Sequence, residues 1–237
     1  MDFVRPSRSV ALRFVSGRGH YETVIHAVRN ARTSIWIATA NLKELMVEDT
    51  RWSLRRRRRG AASYRSVIQI FDELVAAGVE IRLMHAAPPS RPFRAELARQ
   101  ERLAFPRATT PGENLGADRG CFEMRLCPRV HLKAVIIDGE FLYLGSANWT
   151  GAGLGAKGTG RRNFELGMVT DDALLLDEVQ EIFDRIWRGA ECAACKLRDV
   201  CPRPLDFARV GKRGAPSGTP SDSGAKKRAA AHRHPGF

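Results

Sequence analysis

Two apolar runs flank an Asp-Gly pair in the stretch His131-Leu132-Lys133-Ala134-Val135-Ile136-Ile137-Asp138-Gly139-Glu140-Phe141-Leu142-Tyr143-Leu144-Gly145-Ser146-Ala147-Asn148. An Asp-Gly pair between apolar runs is typical of a β-hairpin with a two-residue loop. With Asp138 and Gly139 as that loop, Ile137 pairs with Glu140. The run from residue 134 to 137 is apolar at every position, which indicates a strand covered on both faces.

Four polar side chains share one face of this predicted hairpin. The expected pairing sets His131 opposite Ser146 and Lys133 opposite Leu144, and side chains alternate between the two faces of a strand. His131, Lys133, Ser146 and, if the strand continues, Asn148 then lie together, with opposed Cβ atoms about 5 Å apart. The polar face of a half-exposed hairpin would explain any one of them, but not all four, so we expect a functional site here.

The four side chains suit the chemistry of a phosphate group. An ammonium, a hydroxyl and an amide donate hydrogen bonds to phosphate oxygens. A neutral imidazole is a competent nucleophile or general acid and base near neutral pH. No pair of carboxylates with the spacing of a Mg²⁺ site accompanies them. The set therefore predicts phosphoryl transfer through a covalent phosphohistidine, with no cofactor or metal for catalysis.

The spacing His131-x-Lys133-x4-Asp138-x6-Gly145-Ser146-x-Asn148 resembles the HKD motif of the phospholipase D superfamily. The resemblance implies phosphodiester cleavage by a histidine nucleophile, with a second histidine protonating the leaving group. It also implies that a glutamate on the strand after the motif orients the histidine through its other ring nitrogen. Glu165 corresponds to that residue, and a plain surface position is the alternative reading of Glu165.

The chain contains one such motif, because His20, His26 and His85 lack a matched Lys, Asp and Gly-Ser. In-line displacement needs histidines on opposite sides of the phosphorus. We therefore expect a twofold homodimer that brings His131 of each subunit to the axis, since isologous pairing is the commonest form of oligomer. Single-motif members of the superfamily resemble this arrangement.

Asp138 is expected at the hairpin turn, away from the reaction. The seven residues from His131 to Asp138 span about 23 Å of strand at about 3.3 Å per residue. The carboxylate therefore does not reach a phosphate held at His131, and we interpret Asp138 as a turn residue despite its place in the motif.

Strand and helix patterns alternate along the chain, which favours an α/β sandwich. Together with the resemblance, this predicts a phospholipase D-like fold with a mixed central sheet and helices on both faces. Expected strands cover 10–15, 34–41, 79–84, 130–137, 141–146 and 164–170, and expected helices cover 21–31, 66–77 and 172–188, with a loop and a charged helix over 88–104. A catalytic domain is expected over 1–190, a cysteine-containing extension over 191–210 and a disordered basic tail over 211–237.

The net charge favours a polyanionic partner. The chain carries 39 Lys and Arg against 26 Asp and Glu, a net charge of +13, which attracts nucleic acid, anionic lipid or phosphorylated substrates. Arginine forks match phosphate oxygens, so we place five arginines at the substrate, with an exposed loop without ligand as the alternative for the first three. They are Arg55, Arg56, Arg57, Arg161 and Arg162.

A nuclease is the favoured function, because its substrate is a continuous polyanion. The alternatives are a phospholipase D or phosphatidyltransferase acting on lipid phosphodiesters, and a basic DNA-binding protein with a residual site. A lipid enzyme would show an apolar acyl entrance or an interfacial amphipathic helix, and the sequence has no clear candidate. No N-terminal signal segment or membrane-spanning stretch is apparent, so we expect a cytoplasmic protein.

Five cysteines form the remaining pattern. Cys192-x2-Cys195-x5-Cys201 follows the last expected helix, and Cys121 and Cys127 precede the hairpin. A Cys-x2-Cys pair with further cysteines in a reduced chain is typical of a metal site, and thiolates suit Zn²⁺ or an iron–sulfur cluster. We expect three ligands from the C-terminal group and the fourth from Cys121 or Cys127, in a structural role. Packed or redox-active thiols are the alternative.

Overall fold

The computed structural model describes residues 4–49, 63–104 and 120–206. The strands in these ranges are β1 (Arg13–Ser16), β2 (Ser34–Thr39), β3 (Met46–Glu48), β4 (Tyr64–Ser66), β5 (Glu80–His85), β6 (Phe122–Leu126), β7 (Ala134–Ile137), β8 (Phe141–Gly145) and β9 (Leu166–Thr170). Seven of them form one sheet in the order β1-β9-β8-β7-β2-β5-β6, while β3 and β4 pair as a separate ribbon. β2, β5 and β6 are parallel neighbours and the other pairs are antiparallel, which confirms the mixed central sheet.

Five α-helices lie in the same described ranges: α1 (Arg18–Arg29), α2 (Val67–Ala76), α3 (Arg91–Leu97), α4 (Glu101–Ala104) and α5 (Ala173–Trp187). The Ser66 hydroxyl caps α2 by accepting a hydrogen bond of 3.0 Å from the amide two residues on. The Asp172 carboxylate caps α5 in the same way, at 2.8 Å from the amide three residues on. Gly189 follows α5 with a φ of 73°, a conformation that glycine adopts readily and that ends a helix.

Helices cover both faces of the sheet, because the strands are apolar in both side-chain registers. In β2, Ile35 and Ile37 belong to the larger core cluster with the buried faces of α1 and α2. Ala38 belongs to a second cluster on the other face, with Phe183 and Trp187 of α5. Full burial of an isoleucine side chain contributes roughly 1.5–3 kcal/mol. The α/β sandwich predicted from the sequence is therefore confirmed.

The hairpin has a different register from the one predicted. Ile137 pairs with Phe141, not with Glu140, and a three-residue loop joins β7 to β8. The expected pairing of His131 with Ser146 and of Lys133 with Leu144 is therefore wrong by one position. Because a shift of one residue reverses the face on which a side chain lies, the register does not place His131 and Lys133 on the hairpin face of Ser146 and Asn148, as was predicted. The ladder also begins at residue 134, so His131 and Lys133 lie in the segment that leads into β7.

The longer loop follows from the place of Asp138. Its carboxylate accepts hydrogen bonds from the amides of Arg32, Thr33 and Ser34, each at 2.8 Å, and from the Thr33 hydroxyl at 2.9 Å. These contacts join the loop to the start of β2 and hold Asp138 at a φ of 54°, a conformation that Asp and Asn tolerate better than most residues. Asp138 is a turn residue, as predicted.

Three strands were not among the sequence predictions. β6 is an edge strand beside β5, and β3 and β4 form the short ribbon. The charged segment over 88–104 contains two short helices, α3 and α4, rather than one. Beyond α5 the extension runs through turns and a short 3₁₀ helix at Arg198–Val200. The predicted tail at 211–237 lies outside the described residues.

Candidate active site

His131 and Lys133 form one half of the candidate site. The Lys133 ammonium lies 3.0 Å from both ring nitrogens of His131 and donates to the His131 carbonyl oxygen at 2.9 Å. The Lys133 carbonyl accepts from the Gly145 amide at 3.1 Å, so this segment still follows the end of β8 after leaving the ladder. The His131 imidazole is exposed, and it is therefore accessible to a substrate.

Ser146 and Glu165 form the other half. Ser146 follows β8 and Glu165 precedes β9, and the Ser146 hydroxyl donates a hydrogen bond to Glu165 Oε2. The other carboxylate oxygen accepts from the side-chain NH₂ group of Asn163 at 3.0 Å. The Ser146 hydroxyl oxygen accepts in turn from the Leu166 amide at 3.1 Å. Because its proton is used in the bond to Glu165, Ser146 holds that carboxylate in place.

The two halves meet at the same end of β7, β8 and β9. Burial lowers the pKa of Lys133, and the negative charge of Glu165 partly opposes that shift. Ammonium and carboxylate are therefore within electrostatic reach of each other. Among the described residues, the hydrogen-bond partners of the Glu165 carboxylate are Ser146 and Asn163. A bond from Glu165 to a ring nitrogen of His131 stays a prediction.

Asn148 is anchored by the loop that follows β2. Its side-chain oxygen accepts from the Asn41 amide at 2.9 Å and from the Thr39 hydroxyl at 3.3 Å. The Thr39 hydroxyl oxygen also accepts from the Trp149 amide at 2.9 Å. With its carbonyl oxygen engaged, the Asn148 amide is oriented so that its NH₂ group is the end left to donate.

Two buried residues that the sequence reasoning missed support Glu165. His20 Nδ1 lies 2.9 Å from the Tyr143 hydroxyl, and His20 Nε2 lies 3.1 Å from the Glu165 carbonyl oxygen. A carbonyl only accepts, so Nε2 carries the proton and Nδ1 accepts from the tyrosine. Burial raises the pKa of Tyr143, and the Glu165 charge adds to the rise. The phenol therefore stays protonated.

A glycine pair makes room for Tyr143. Gly145 in β8 pairs with Gly167 in β9, and a Cβ at Gly145 would lie 2.5 Å from the Tyr143 hydroxyl oxygen. A Cβ at Gly167 would lie 2.6 Å from the tyrosine ring. The motif glycine is thus needed for close packing.

The sequence did carry a signal for His20. It stands four residues before Val24 and eight before Val28, so all three lie on the buried stripe of α1.

Two of the five predicted substrate arginines lie in the described part of the chain. Arg161 is exposed at the end of a short 3₁₀ turn, and Arg162 Nε donates to the Lys157 carbonyl oxygen at 2.5 Å. Both belong to the loop that leads to Glu165. The other three lie outside the described residues, and they are Arg55, Arg56 and Arg57.

The cysteines occupy two separate regions. Cys121 and Cys127 flank β6 at its two ends, and Cys192, Cys195 and Cys201 follow α5. All five are free thiols, and only Cys121 is exposed.

A comparison with protein families shows which family this chain belongs to. The family described as "Cardiolipin synthase, PLD-like domain" matches residues 24–187, a range that contains the hairpin and Glu165. The chain belongs to this family of PLD-like domains. The match confirms the resemblance that the HKD spacing indicated. No curated protein matches the chain.

Solved structures with a similar fold include three other proteins. NucT from Helicobacter pylori is 13% identical, with 75% of this chain and 95% of that chain covered and a TM-score of 0.48. Nuc from Salmonella typhimurium, a phospholipase D family member, is 15% identical, with 75% of this chain and 95% of that chain covered and a TM-score of 0.46. Phosphatidylserine synthase from Haemophilus influenzae Rd KW20 is 13% identical, with 73% of this chain and 36% of that chain covered and a TM-score of 0.43.

In the described part of this PLD-like domain, the helices are too short or too polar for any of them to cross a membrane.

Proposed function

We propose that this PLD-like domain cleaves nucleic-acid phosphodiester bonds through a covalent phosphohistidine at His131. The observation that carries the proposal is the exposed His131 imidazole with the Lys133 ammonium 3.0 Å from its ring nitrogens. A phosphate against this imidazole is also against a fixed positive charge, which stabilises the charge that develops in the transition state. Nucleophile and charge stabiliser are the two parts that phosphoryl transfer needs.

The reaction consists of two displacements at phosphorus. The lone pair of one ring nitrogen of His131 forms an N–P bond while the P–O bond to the leaving nucleotide breaks, and that oxygen takes a proton from a general acid. Water then gives a proton to the same group, now a base, and its oxygen displaces His131 from phosphorus. The products are a phosphomonoester and a free hydroxyl. Lys133 and the Asn148 amide bind the non-bridging oxygens, and the scheme needs no metal.

The general acid in this scheme is His131 of a second subunit. His20 and His85 are buried, with ring nitrogens bonded to backbone carbonyl oxygens. His26 lies on the exposed side of α1 beside Asn30. Within the described ranges, this leaves His131 as the histidine with an accessible ring at the site. A twofold axis beside His131 supplies the second one.

An exposed apolar patch near the site supports a second copy as the partner. Phe14 in β1 and Leu166 in β9 are 68% and 59% exposed and lie diagonally across the strand pair. Phe164, next to Glu165, is fully exposed. Large apolar side chains grouped on a surface are typical of an interaction site. We propose that they pack against their symmetry mates.

Unpaired basic side chains favour nucleic acid as the substrate. Most described arginines are held in ion pairs with carboxylates, such as Arg82 with Glu80 at 2.6 Å. Lys133, Lys157 and Arg161 have no such partner among the described residues. With a net charge of +13, this supports binding to a phosphate backbone. A lipid phosphodiester is the competing substrate, because the apolar patch would also suit a membrane surface.

The deciding experiment compares substrates and two histidine variants. Wild type, His131→Ala and His26→Ala are incubated with plasmid, single-stranded DNA, RNA and phosphatidylcholine or phosphatidylglycerol vesicles, with and without chelator. We expect nucleic-acid cleavage that falls steeply with salt, persists with chelator, and is lost in His131→Ala but kept in His26→Ala. Cleavage of lipid alone would replace the substrate class. Cleavage that survives in His131→Ala would refute the mechanism, and binding without turnover would favour the DNA-binding alternative.

Mixed dimers test the second histidine. Wild-type and His131→Ala subunits carrying different tags are co-expressed, and the heterodimer is isolated by two affinity steps. If both imidazoles act on one phosphate, the heterodimer is inactive in multiple turnover. A heterodimer with half of the wild-type activity, or an active monomer in solution, would contradict the shared site.

A further inference from the structure

Three exposed basic side chains lie beyond the carboxyl ends of β2 and β5. Lys43 is in the loop after β2, and Arg91 and Arg94 are in α3, which follows β5. Because β2 and β5 are parallel neighbours, their carboxyl ends meet at one edge of the sheet. β7 begins at the same edge, since Ala38 near the end of β2 pairs with Ala134. We call Lys43, Arg91 and Arg94 the rim strip.

Backbone contacts connect the first residue of the strip to the candidate site. The Asn41 amide donates to the Asn148 side-chain oxygen at 2.9 Å. Two residues later, the Lys43 amide donates to the Trp149 carbonyl oxygen at 3.0 Å. The loop after β2 thus runs beside Asn148 and the residue that follows it, and the exposed Lys43 side chain starts from this contact.

α3 is attached to the same loop and continues the strip away from the site. The Ser90 amide donates to the Leu42 carbonyl oxygen at 3.0 Å, and Arg91 follows directly as the first residue of α3. Phe93 is the buried residue of the helix, whereas Arg91 and Arg94 are exposed. Residues three apart on a helix have Cβ atoms about 5–6 Å apart, so the two guanidinium groups are neighbours on the surface.

Lys157 borders the same edge from the other side of residues 149–151. A Cβ at Gly151 would lie 3.6 Å from Lys157 Cε and 4.0 Å from Leu45 Cδ1. The Lys157 side chain therefore lies close to the loop that carries Lys43. The cations at this edge form a row from Lys157, past Asn148, to α3.

The acidic side chains closest in the chain to the strip are engaged elsewhere. The Ser66 hydroxyl donates to the Glu44 carboxylate, whose other oxygen is buried. Glu96 accepts from the Arg99 guanidinium at 2.8 Å and from the side-chain amide of Gln69 at 2.9 Å. In the part of the chain that the structure describes, no carboxylate forms an ion pair with a side chain of the strip.

Three neighbouring cations without a carboxylate partner are unfavourable in the free protein, because like charges at such spacing on a helix repel each other. A nucleic-acid backbone removes this repulsion, since it carries one phosphate for about every 3.4 Å of each strand of a duplex. Each phosphate that meets a cation also releases the counterions that it had bound. A row of cations therefore fits a polymer of phosphates better than it fits a single anion.

We propose that the rim strip binds the phosphates of the substrate strand on one side of the phosphate that is cleaved. The inference rests on the proposed function. From β7 to β5 there are two steps between neighbouring strands, or about 10 Å, which corresponds to about three phosphates along a duplex strand. The strand leaves the scissile phosphate beside Asn148, passes Lys43 and reaches Arg91 and Arg94 about three nucleotides away.

The salt dependence of binding tests the strip without cleavage, in the full chain with His131→Ala. Fluorescence anisotropy follows a labelled single strand of about 20 nucleotides, for which each phosphate contact contributes about 0.7 to the slope of log affinity against log salt. We expect Lys43→Ala/Arg91→Ala/Arg94→Ala to lower the slope by about two units, so that between about 50 and 200 mM salt the variant loses about 16-fold less affinity than its parent. Arg91→Ala alone lowers the slope by about 0.7. The matched control is Arg32→Ala, an exposed arginine just before the opposite end of β2, and it leaves the slope unchanged.

Chemical labelling of the intact strip covers the case in which a strip variant fails to fold. The His131→Ala chain is treated with phenylglyoxal, which modifies arginine, with and without the single strand, and the modified peptides are measured by mass spectrometry. We expect DNA to protect Arg91 and Arg94 and to leave Arg32 reactive.

The outcomes separate this inference from the proposed function. DNA binding with an unchanged slope in the triple variant, or equal protection of Arg32 and Arg91, would overturn the strip alone. No binding of DNA or RNA by the His131→Ala chain would overturn the proposed function with it. A triple variant that keeps its slope on DNA but no longer binds phosphatidylglycerol vesicles would assign the strip to a membrane surface and overturn the inference.

Discussion

Replacing Asp138 tests whether the third residue of the HKD motif acts on stability rather than on catalysis. Its carboxylate accepts four hydrogen bonds from residues 32–34, at 2.8–2.9 Å. A hydrogen bond to a charged group contributes roughly 1.5–3 kcal/mol, but water replaces part of this at a half-exposed site. We expect Asp138→Ala to lower the free energy of unfolding by about 2–4 kcal/mol and Asp138→Asn by about 1–2 kcal/mol.

Asp138→Asn is the cleaner variant, for two reasons. Asparagine tolerates the left-handed φ of 54° at this position, whereas alanine adds backbone strain. Its remaining oxygen also keeps the contacts with Thr33 and Ser34, so the loss is confined to the bond from Arg32. A change of 1 kcal/mol shifts the midpoint of thermal unfolding by about 2–4 °C in a chain of this size.

The same carboxylate predicts a pH dependence. Burial acts to raise the pKa of Asp138, but the hydrogen bonds from Ser34, Thr33 and Arg32 outweigh it and hold the pKa below its usual value. A carboxyl whose pKa is lowered by folding stabilises the protein fully above its unfolded pKa of about 3.9, and the contribution is lost as the pH falls through the folded pKa. The stability difference between wild type and Asp138→Asn is therefore expected to shrink below about pH 4.

Urea unfolding at pH 7 and at several lower pH values measures the stability effect, and phosphodiesterase assays below the unfolding transition measure kcat. Because Asp138 is at the opposite end of β7 from His131, we expect kcat per folded molecule to stay within about twofold of wild type. An Asp138→Asn protein of unchanged stability, or one that is stable but inactive, would refute the reasoning.

Three further predictions concern the residues around Glu165. Gly145→Ala places a Cβ 2.5 Å from the Tyr143 hydroxyl oxygen, and thermal unfolding is expected to show a loss of about 1–3 kcal/mol in stability. The control is Gly160→Ala, which has open space around it and is expected to leave the stability unchanged. Tyr143→Phe removes the hydrogen bond to the buried His20 and is expected to cost about 1–3 kcal/mol in urea unfolding; an unchanged midpoint would contradict that contact. Arg161→Ala, in a His131→Ala background, is expected to reduce the salt dependence of DNA binding by about one unit in a log–log plot, and an unchanged slope would show that Arg161 does not contact phosphate.

Local patterns were enough to predict the identity of the candidate site. His131, Lys133, Gly145, Ser146 and Asn148 stand in two short segments that a single tight loop joins, and such a loop acts over a few residues. The predicted helices also agree with the structure to within a few residues, since apolar spacing and caps such as Ser66 are local signals.

The exact register was beyond these local signals. Asp138 and Gly139 both have positive φ, as a two-residue loop requires, but the Asp138 carboxylate is bonded to residues more than a hundred positions away. That distant contact accompanies a loop of three residues. The longer loop shifts every residue pair of the hairpin by one position from the predicted register.

The spacing of residues along the chain was thus sufficient to indicate the PLD-like family and to nominate the candidate site residues, because a motif is a property of neighbouring residues. Only the tertiary structure decided which distant groups support them. The contact of His20 with Tyr143 spans 123 residues and its contact with the Glu165 carbonyl spans 145. Sheet order and burial create these contacts, and neither can be read from spacing along the chain.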